Sequence, residues 1–252
     1  MVHGVPENTE PPDKHPSRRP VRAVLFDFHG TLAQVEDPVD WVLAAAAVCG
    51  TTLGRATATG LADRLVSVGR AGGPVPGRIP PHLAEVYAER DLSAHAHRAA
   101  YTGLFATVTS GIDGLPEALY ERVLAVEGWA VYADTVPTLR ALRAAGIPVA
   151  VVSNIGFDIR PMLTAWGAAD LVDEAVLSYE FGRCKPDPAI FRYACEALGV
   201  APEHTLMVGD TPADAAAVIA GCAALIMPPT APGEVHGLAS VLDLARCDGH
   251  HS

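Results

Sequence analysis

The apolar residues of this chain recur with two different periods. Val24-Leu25-Phe26 is a continuous apolar run that stops at Asp27 and is followed by the turn Gly30-Thr31. Short continuous runs bounded by turn residues mark strands buried on both faces. Comparable runs occur at 147–152, 175–177, 205–208 and 223–227. Between them the spacing is helical. Over 135–145, Val136, Leu139 and Leu142 share one face and Gly146 supplies the stop, and 157–166 ends likewise at Gly167. Asp187-Pro188 opens a helix with an N-cap acid and a first-turn proline; its apolar face is Ile190, Phe191, Ala194 and Leu198. Thr211-Pro212-Ala213-Asp214 opens another, and 241–246 forms a last short helix. Alternating strands and helices predict an α/β fold with a parallel sheet covered on both faces.

From Leu32 to Gly128 the rhythm changes. No strand is predicted there, and helices are predicted over 39–49, 56–68, 83–109 and 116–126, with breaks at 71–77 and 111–114. The pattern predicts a helical insertion that leaves the sheet just after its first strand. Sheets of this class bind ligands at the C-terminal strand ends, so the insertion is placed to cover them. The expected organisation is a disordered tail over 1–20, an α/β core of 21–32 and 129–252, and a helical domain of 33–128, hinged near 33–38 and 128–133. The terminal His250-His251 reads as a frayed end.

Composition narrows the partners. The formal net charge of -11 argues against nucleic acid, which attracts basic surfaces, but leaves room for a small phosphorylated substrate met by a local basic site. No apolar run approaches the ~20 residues that cross a bilayer, so no membrane is expected. The five cysteines are scattered without a C-x-x-C pair, which predicts neither disulfides nor zinc and suits the reducing cytoplasm. Nearly all cationic residues are arginine; Lys14 and Lys185 are the only lysines. No oligomeric state follows from these features.

The candidate chemistry sits where apolar runs end. Asp27 and Asp210 each follow a predicted strand, and two carboxylates at adjacent strand tips repel unless a cation lies between them. Magnesium, a hard ion that takes oxygen ligands, suits such a pair. Ser153 and Asn154 follow another strand, where a hydroxyl and backbone N–H groups can hold oxyanions. Thr211 to Asp214 matches a capping box as well as it matches a metal-shell role for Asp214.

In chain order, the segments Asp27-Phe28-His29-Gly30-Thr31, Ser153-Asn154, Lys185-Pro186-Asp187-Pro188 and Gly209-Asp210-Thr211-Pro212-Ala213-Asp214 resemble the four motifs of the haloacid dehalogenase superfamily, most of whose members are magnesium-dependent phosphatases. The resemblance implies a Rossmann-like sheet with an inserted helical cap of the C1 type. It implies that Asp27 is the nucleophile and forms an aspartyl-phosphate. Mg2+ would be held by Asp27, Asp210 and the backbone carbonyl of His29, with Asp214 in its shell. Thr31, Ser153, Asn154 and Lys185 would hold the phosphoryl group, Lys185 also offsetting its charge. One position departs from the pattern: His29 stands where the phosphatases carry a second aspartate. Histidine titrates near ~6.5, so His29 is the candidate acid–base. Two alternatives stay open, a metal-independent 2-haloacid dehalogenase-like hydrolase and a catalytically silent ligand-binding module. Within the insertion, Arg90, His95, His97, Arg98 and Tyr101 form either a solvated helix face or one that meets an anionic or sugar-like substrate. Trp41 is expected to pack internally.

Overall fold

The computed structural model describes residues 20–246. Apart from Pro20, the expected tail over 1–20 lies outside the described residues, as do Lys14, Cys247 and the terminal histidines. Among the described residues seven strands form: β1 (Ala23–Phe26), β2 (Ala33–Val35), β3 (Trp129–Val131), β4 (Val149–Ser153), β5 (Glu174–Leu177), β6 (Thr205–Gly209) and β7 (Ala223–Ile226). Five of them make one sheet in the order β5-β4-β1-β6-β7, every neighbouring pair parallel. β1 is the central strand and all four of its residues are buried. Val24 and Phe26 face one apolar cluster while Leu25 faces the other, which is why the run carries no polar alternation.

The helices are α1 (Pro38–Val48), α2 (Arg55–Val68), α3 (Ala84–Ala88), α4 (Ala94–Ala106) and α5 (Leu115–Leu124), all lying between β2 and β3 in the chain, then α6 (Thr135–Ala144), α7 (Arg160–Ala165), α8 (Ser178–Phe181), α9 (Pro188–Ala197), α10 (Pro212–Ala215), α11 (Ala217–Ala220) and α12 (Ala239–Arg246). The α/β architecture with an inserted helical unit is thus the observed one. No helix among the described residues is long and apolar enough to cross a membrane.

Three expectations need correction. The stretch after Leu32 is not free of strand: β2 pairs antiparallel with β3, Ala33 opposite Val131 and Val35 opposite Trp129, so a two-stranded ribbon stands where the insertion joins the sheet. A three-residue strand is too short to display alternation. The helix expected over 83–109 is two helices, because the chain turns at Glu89–Leu92 and Ser93 then caps α4, its Oγ accepting from the Ala96 N–H at 3.3 Å. The helix expected over 157–166 begins only at Arg160, with Pro161 in its first turn, where a missing N–H does no harm.

The larger apolar cluster runs without interruption from the sheet into the insertion. Phe28 lies 5.0 Å from Trp129 and 5.8 Å from Trp166, and Trp129 lies 6.1 Å from Phe157, ring centre to ring centre. Trp41 is fully buried as expected, its indole N–H donating to the Leu119 carbonyl at 3.0 Å.

Candidate active site

Register delivers the site. Phe26 pairs with Val151 on one side and Val208 on the other, so Asp27, Ser153 and Asp210 emerge at the C-terminal ends of three adjacent strands. The Asp27 N–H is held by the Val208 carbonyl at 2.9 Å. Oxygens of Asp27, Asp210 and Asp214 lie within 4.8 Å of one another, and this trio is the one such metal-capable cluster among the described residues. Gly30 makes the turn between Asp27 and β2 possible: its φ is +78°, and a Cβ there would stand 2.4 Å from Asp210 Oδ2.

Lys185 enters from the other side and is buried. Its ammonium lies 2.8 Å from Asp27 Oδ1 and 2.5 Å from Asp214 Oδ1, and donates to the Val152 carbonyl at 2.9 Å. Asp214 is fully buried and divides its work: while Oδ1 meets the lysine, Oδ2 accepts from the Thr211 N–H at 3.0 Å and the Thr211 hydroxyl at 2.6 Å. The capping box is therefore formed. Asn154 is turned toward the lysine's backbone rather than into open space, its Oδ1 accepting from the Lys185 N–H at 2.7 Å and its Nδ2 donating to the Lys185 carbonyl at 2.8 Å.

Charge is crowded at these tips. Burial raises the Asp27 pKa, an effect the lysine opposes and Asp214 reinforces. Asp210 is pushed up to about 7 by burial and by the charges of Asp27 and Asp214. The same acids raise Lys185, against its burial. Two buried polar atoms here lack any partner, Asp210 Oδ1 and the Thr31 hydroxyl, while Asp27 Oδ1 meets only the Lys185 ammonium at 2.8 Å. Orphaned atoms of this kind call for a missing group. An unsatisfied Asp210 oxygen in a cluster of three acids matches a hard divalent cation, and the unsatisfied Thr31 hydroxyl matches an oxyanion.

His29 is half-buried beside a chamber of about 200 Å³ that Ser153 and Asn154 also line. Its Nε2 donates to Gln34 Oε1, and its ring stands edge-on to Trp129, 5.8 Å away. Burial lowers its pKa, with the Asp27 charge pulling the other way. The far walls come from the insertion. Gly156 lets them close, since a Cβ there would lie 2.4 Å from the Arg90 carbonyl and 2.4 Å from His97 Cβ. The helix face carrying His97 and Tyr101 is not solvated: both are buried, both line the chamber, and His97 Nδ1 shares a hydrogen bond of 2.8 Å with the Tyr120 hydroxyl. Arg70, Tyr87, Asp91 and Phe157 line it as well and were not singled out from the sequence. The signal for Arg70 lay in the glycine-rich break that follows it, which forms a chamber wall as well as a break between helices.

A model of haloacid dehalogenase-like hydrolases matches residues 21–221. The (S)-2-haloacid dehalogenase 1 of Pseudomonas sp. (strain CBS-3) is 29% identical over 75% of this chain and 76% of its own length. Phosphoglycolate phosphatase of Rhodospirillum rubrum is 37% identical over 40% of this chain and 42% of its own. Several curated relatives are matched over less than half their length, between 41% and 45%. Among solved structures, a HAD family hydrolase from Deinococcus radiodurans R1, described with bound phosphate and sodium, shares the fold at 24% identity and a TM-score of 0.56, over 91% of this chain and 97% of that one.

Proposed function

Because this chain belongs to the haloacid dehalogenase-like hydrolase family, we propose that it is a Mg2+-dependent phosphatase that hydrolyses a small phosphorylated substrate through an aspartyl-phosphate at Asp27. The observation that carries the proposal is the convergence of Asp27, Asp210 and Asp214 oxygens within 4.8 Å of one another, with Asp210 Oδ1 unsatisfied, a buried ammonium at Lys185 2.8 Å from Asp27, and an unsatisfied hydroxyl at Thr31. Asp27 and Asp210 would hold the ion, with Asp214 behind them and the His29 carbonyl as a further ligand. When bound, Mg2+ supplies positive charge against which the acids and the phosphoryl oxygens accumulate.

The chain's own groups then divide the work. The Asp27 carboxylate attacks phosphorus, and the bond to the leaving oxygen breaks. His29 gives that oxygen its proton. Thr31, Ser153 and Lys185 receive the phosphoryl oxygens, and the Asn154 amide holds the lysine's backbone in place. Water next attacks the acyl-phosphate, surrenders a proton to His29, and phosphate leaves. The Gln34 hydrogen bond keeps the imidazole in one tautomer and orientation for both transfers.

Phosphate release across a panel of phosphate esters, with Mg2+ and with a chelator, tests the proposal. Activity that needs both Mg2+ and Asp27 supports it; turnover indifferent to Asp27→Asn overturns it. The second reading, dehalogenation of a 2-haloacid without metal, is favoured by the longer match to the Pseudomonas enzyme. Chloride released from a 2-chloroacid in the presence of chelator would select it.

A further inference from the structure

Two cysteines that the chemistry above leaves unused are brought together at the far end of the sheet. Cys195 lies near the end of α9, and Cys222 lies in the turn that leads into β7. They are 27 positions apart in the chain, yet their sulfurs stand 3.7 Å from one another. Both are buried, Cys195 at 1% exposure and Cys222 at 5%. The backbones that carry them are held in place. The Cys222 N–H donates to the Ala217 carbonyl at 3.2 Å, and the Cys195 carbonyl accepts from the Val200 N–H at 3.0 Å. Cys184 differs: its thiol faces the Asp91 carbonyl at 3.8 Å and meets no second sulfur.

A sulfur–sulfur bond is about 2.05 Å long, so the two atoms are about 1.7 Å from bonding distance. Small rotations about the two Cα–Cβ bonds close such a gap. We propose that Cys195 and Cys222 are a peroxide-sensitive site that closes to a disulfide and staples α9 to the start of β7. The Cys222 thiol, bonded to the Cys195 sulfur, lowers the Cys195 pKa to about 7 against the effect of burial, so Cys195 supplies the thiolate. Cys195 takes one oxygen from hydrogen peroxide, the O–O bond breaks, and a sulfenic acid and one water result. The Cys222 sulfur then attacks the Cys195 sulfur. The S–S bond forms, the S–O bond breaks, and a second water leaves. Two thiols thereby give up two electrons and two protons, and the peroxide is reduced to two waters. The oxidant is little larger than water, and β7 is an edge strand, where local opening is easiest.

The bond acts on stability and not on the acids. Ala223 pairs with Leu206 and Ile226 with Gly209, so Cys222 enters at the opposite end of the strands from Asp210. Closing the loop from 195 to 222 restricts the unfolded chain and leaves the folded one nearly unchanged.

The test exposes the folded, reduced protein to hydrogen peroxide, alkylates the remaining thiols and maps peptides by mass spectrometry. The expected product is one linked pair, Cys195 to Cys222, lighter by two hydrogens and reopened by dithiothreitol. Its Tm should lie about 4–16 °C above that of the reduced form. Cys222→Ala should abolish both the link and the shift, while Cys49→Ser, Cys184→Ser and Cys247→Ser should keep them. Overoxidation of Cys195 without a link overturns the proposal, as do a link that forms only in denaturant and a linked form with no rise in Tm. If Cys222→Ala does not fold, the wild-type peptide map and Tm decide.

Discussion

Replacing Lys185 with methionine should expose how the site is balanced. The ammonium is buried, and it lies within 2.8 Å of Asp27 and 2.5 Å of Asp214 while donating to the Val152 carbonyl. Methionine keeps most of the volume and removes the charge, leaving two buried carboxylates facing each other and a carbonyl without its donor. Breaking a buried ion pair from one side costs about 3–5 kcal/mol. For a protein of this size each kcal/mol moves Tm by about 2–4 °C, so Tm should fall by roughly 6–20 °C. Urea unfolding at 25 °C measures the loss directly. Adding Asp214→Asn to Lys185→Met should recover part of it, because the second change removes one stranded charge. The double variant should then be more stable than the sum of the single effects, by more than the ~0.5 kcal/mol expected of independent sites. A loss under ~1 kcal/mol for Lys185→Met, or strict additivity, would refute the idea that this lysine is the counter-charge of the site.

Other perturbations act on the same strand tips and the chamber above them. Gly30→Ala forces a Cβ within 2.4 Å of Asp210 Oδ2 at a φ of +78°, so Mg2+ affinity by calorimetry should fall at least ~10-fold, with a stability loss of about 1–3 kcal/mol; unchanged affinity would show that Asp210 need not hold its position. His29→Ala should slow release of a poor alkoxide leaving group far more than release of para-nitrophenolate, which needs no proton; equal losses on both would remove proton transfer from His29. His97 is buried and its pKa is depressed from 6.5 to about 3, chiefly by burial and then by Arg90. Between those values the unfolded chain binds one more proton than the folded one, so stability is full above pH 6.5 and is lost as pH falls toward 3. From pH 7 to pH 5 the loss from this group is about 2 kcal/mol at most, and His97→Phe should shrink the fall in urea midpoint over that interval; an identical fall would assign the acid sensitivity elsewhere.

The sheet was legible because burial on two faces writes a strand as an unbroken apolar run, and β1 with Val24, Leu25 and Phe26 split between two clusters is the plainest case. The acids were legible for the same reason: Asp27 and Asp210 end such runs. The β2–β3 ribbon left no trace because strands of three residues are too short to carry a period, and its pairing joins positions about a hundred residues apart in the chain. The turn at Glu89–Leu92 hid in a helical pattern, although Ser93 was available as a cap signal. The chamber walls were invisible for a different reason. Arg70, His97 and Tyr101 acquire meaning only when Gly156 lets the insertion come down on the strand tips, and no local spacing encodes that approach.

Asp214 shows why motif and structure need not compete for one side chain. From the sequence, a helix cap and a place in the metal shell explained it equally well. The carboxylate has two oxygens, and the fold uses them separately: Oδ2 closes the capping box with Thr211, while Oδ1 meets Lys185. The cap fixes the rotamer, and a fixed rotamer is what lets a fully buried acid hold a flexible ammonium against Asp27. Lysine alone would lose several rotamers' worth of entropy to stand there; with its head tied to Asp214 and Val152 and its backbone tied to Asn154, that loss is met during folding rather than when substrate arrives. The cap thereby sets where the ammonium stands relative to Asp27.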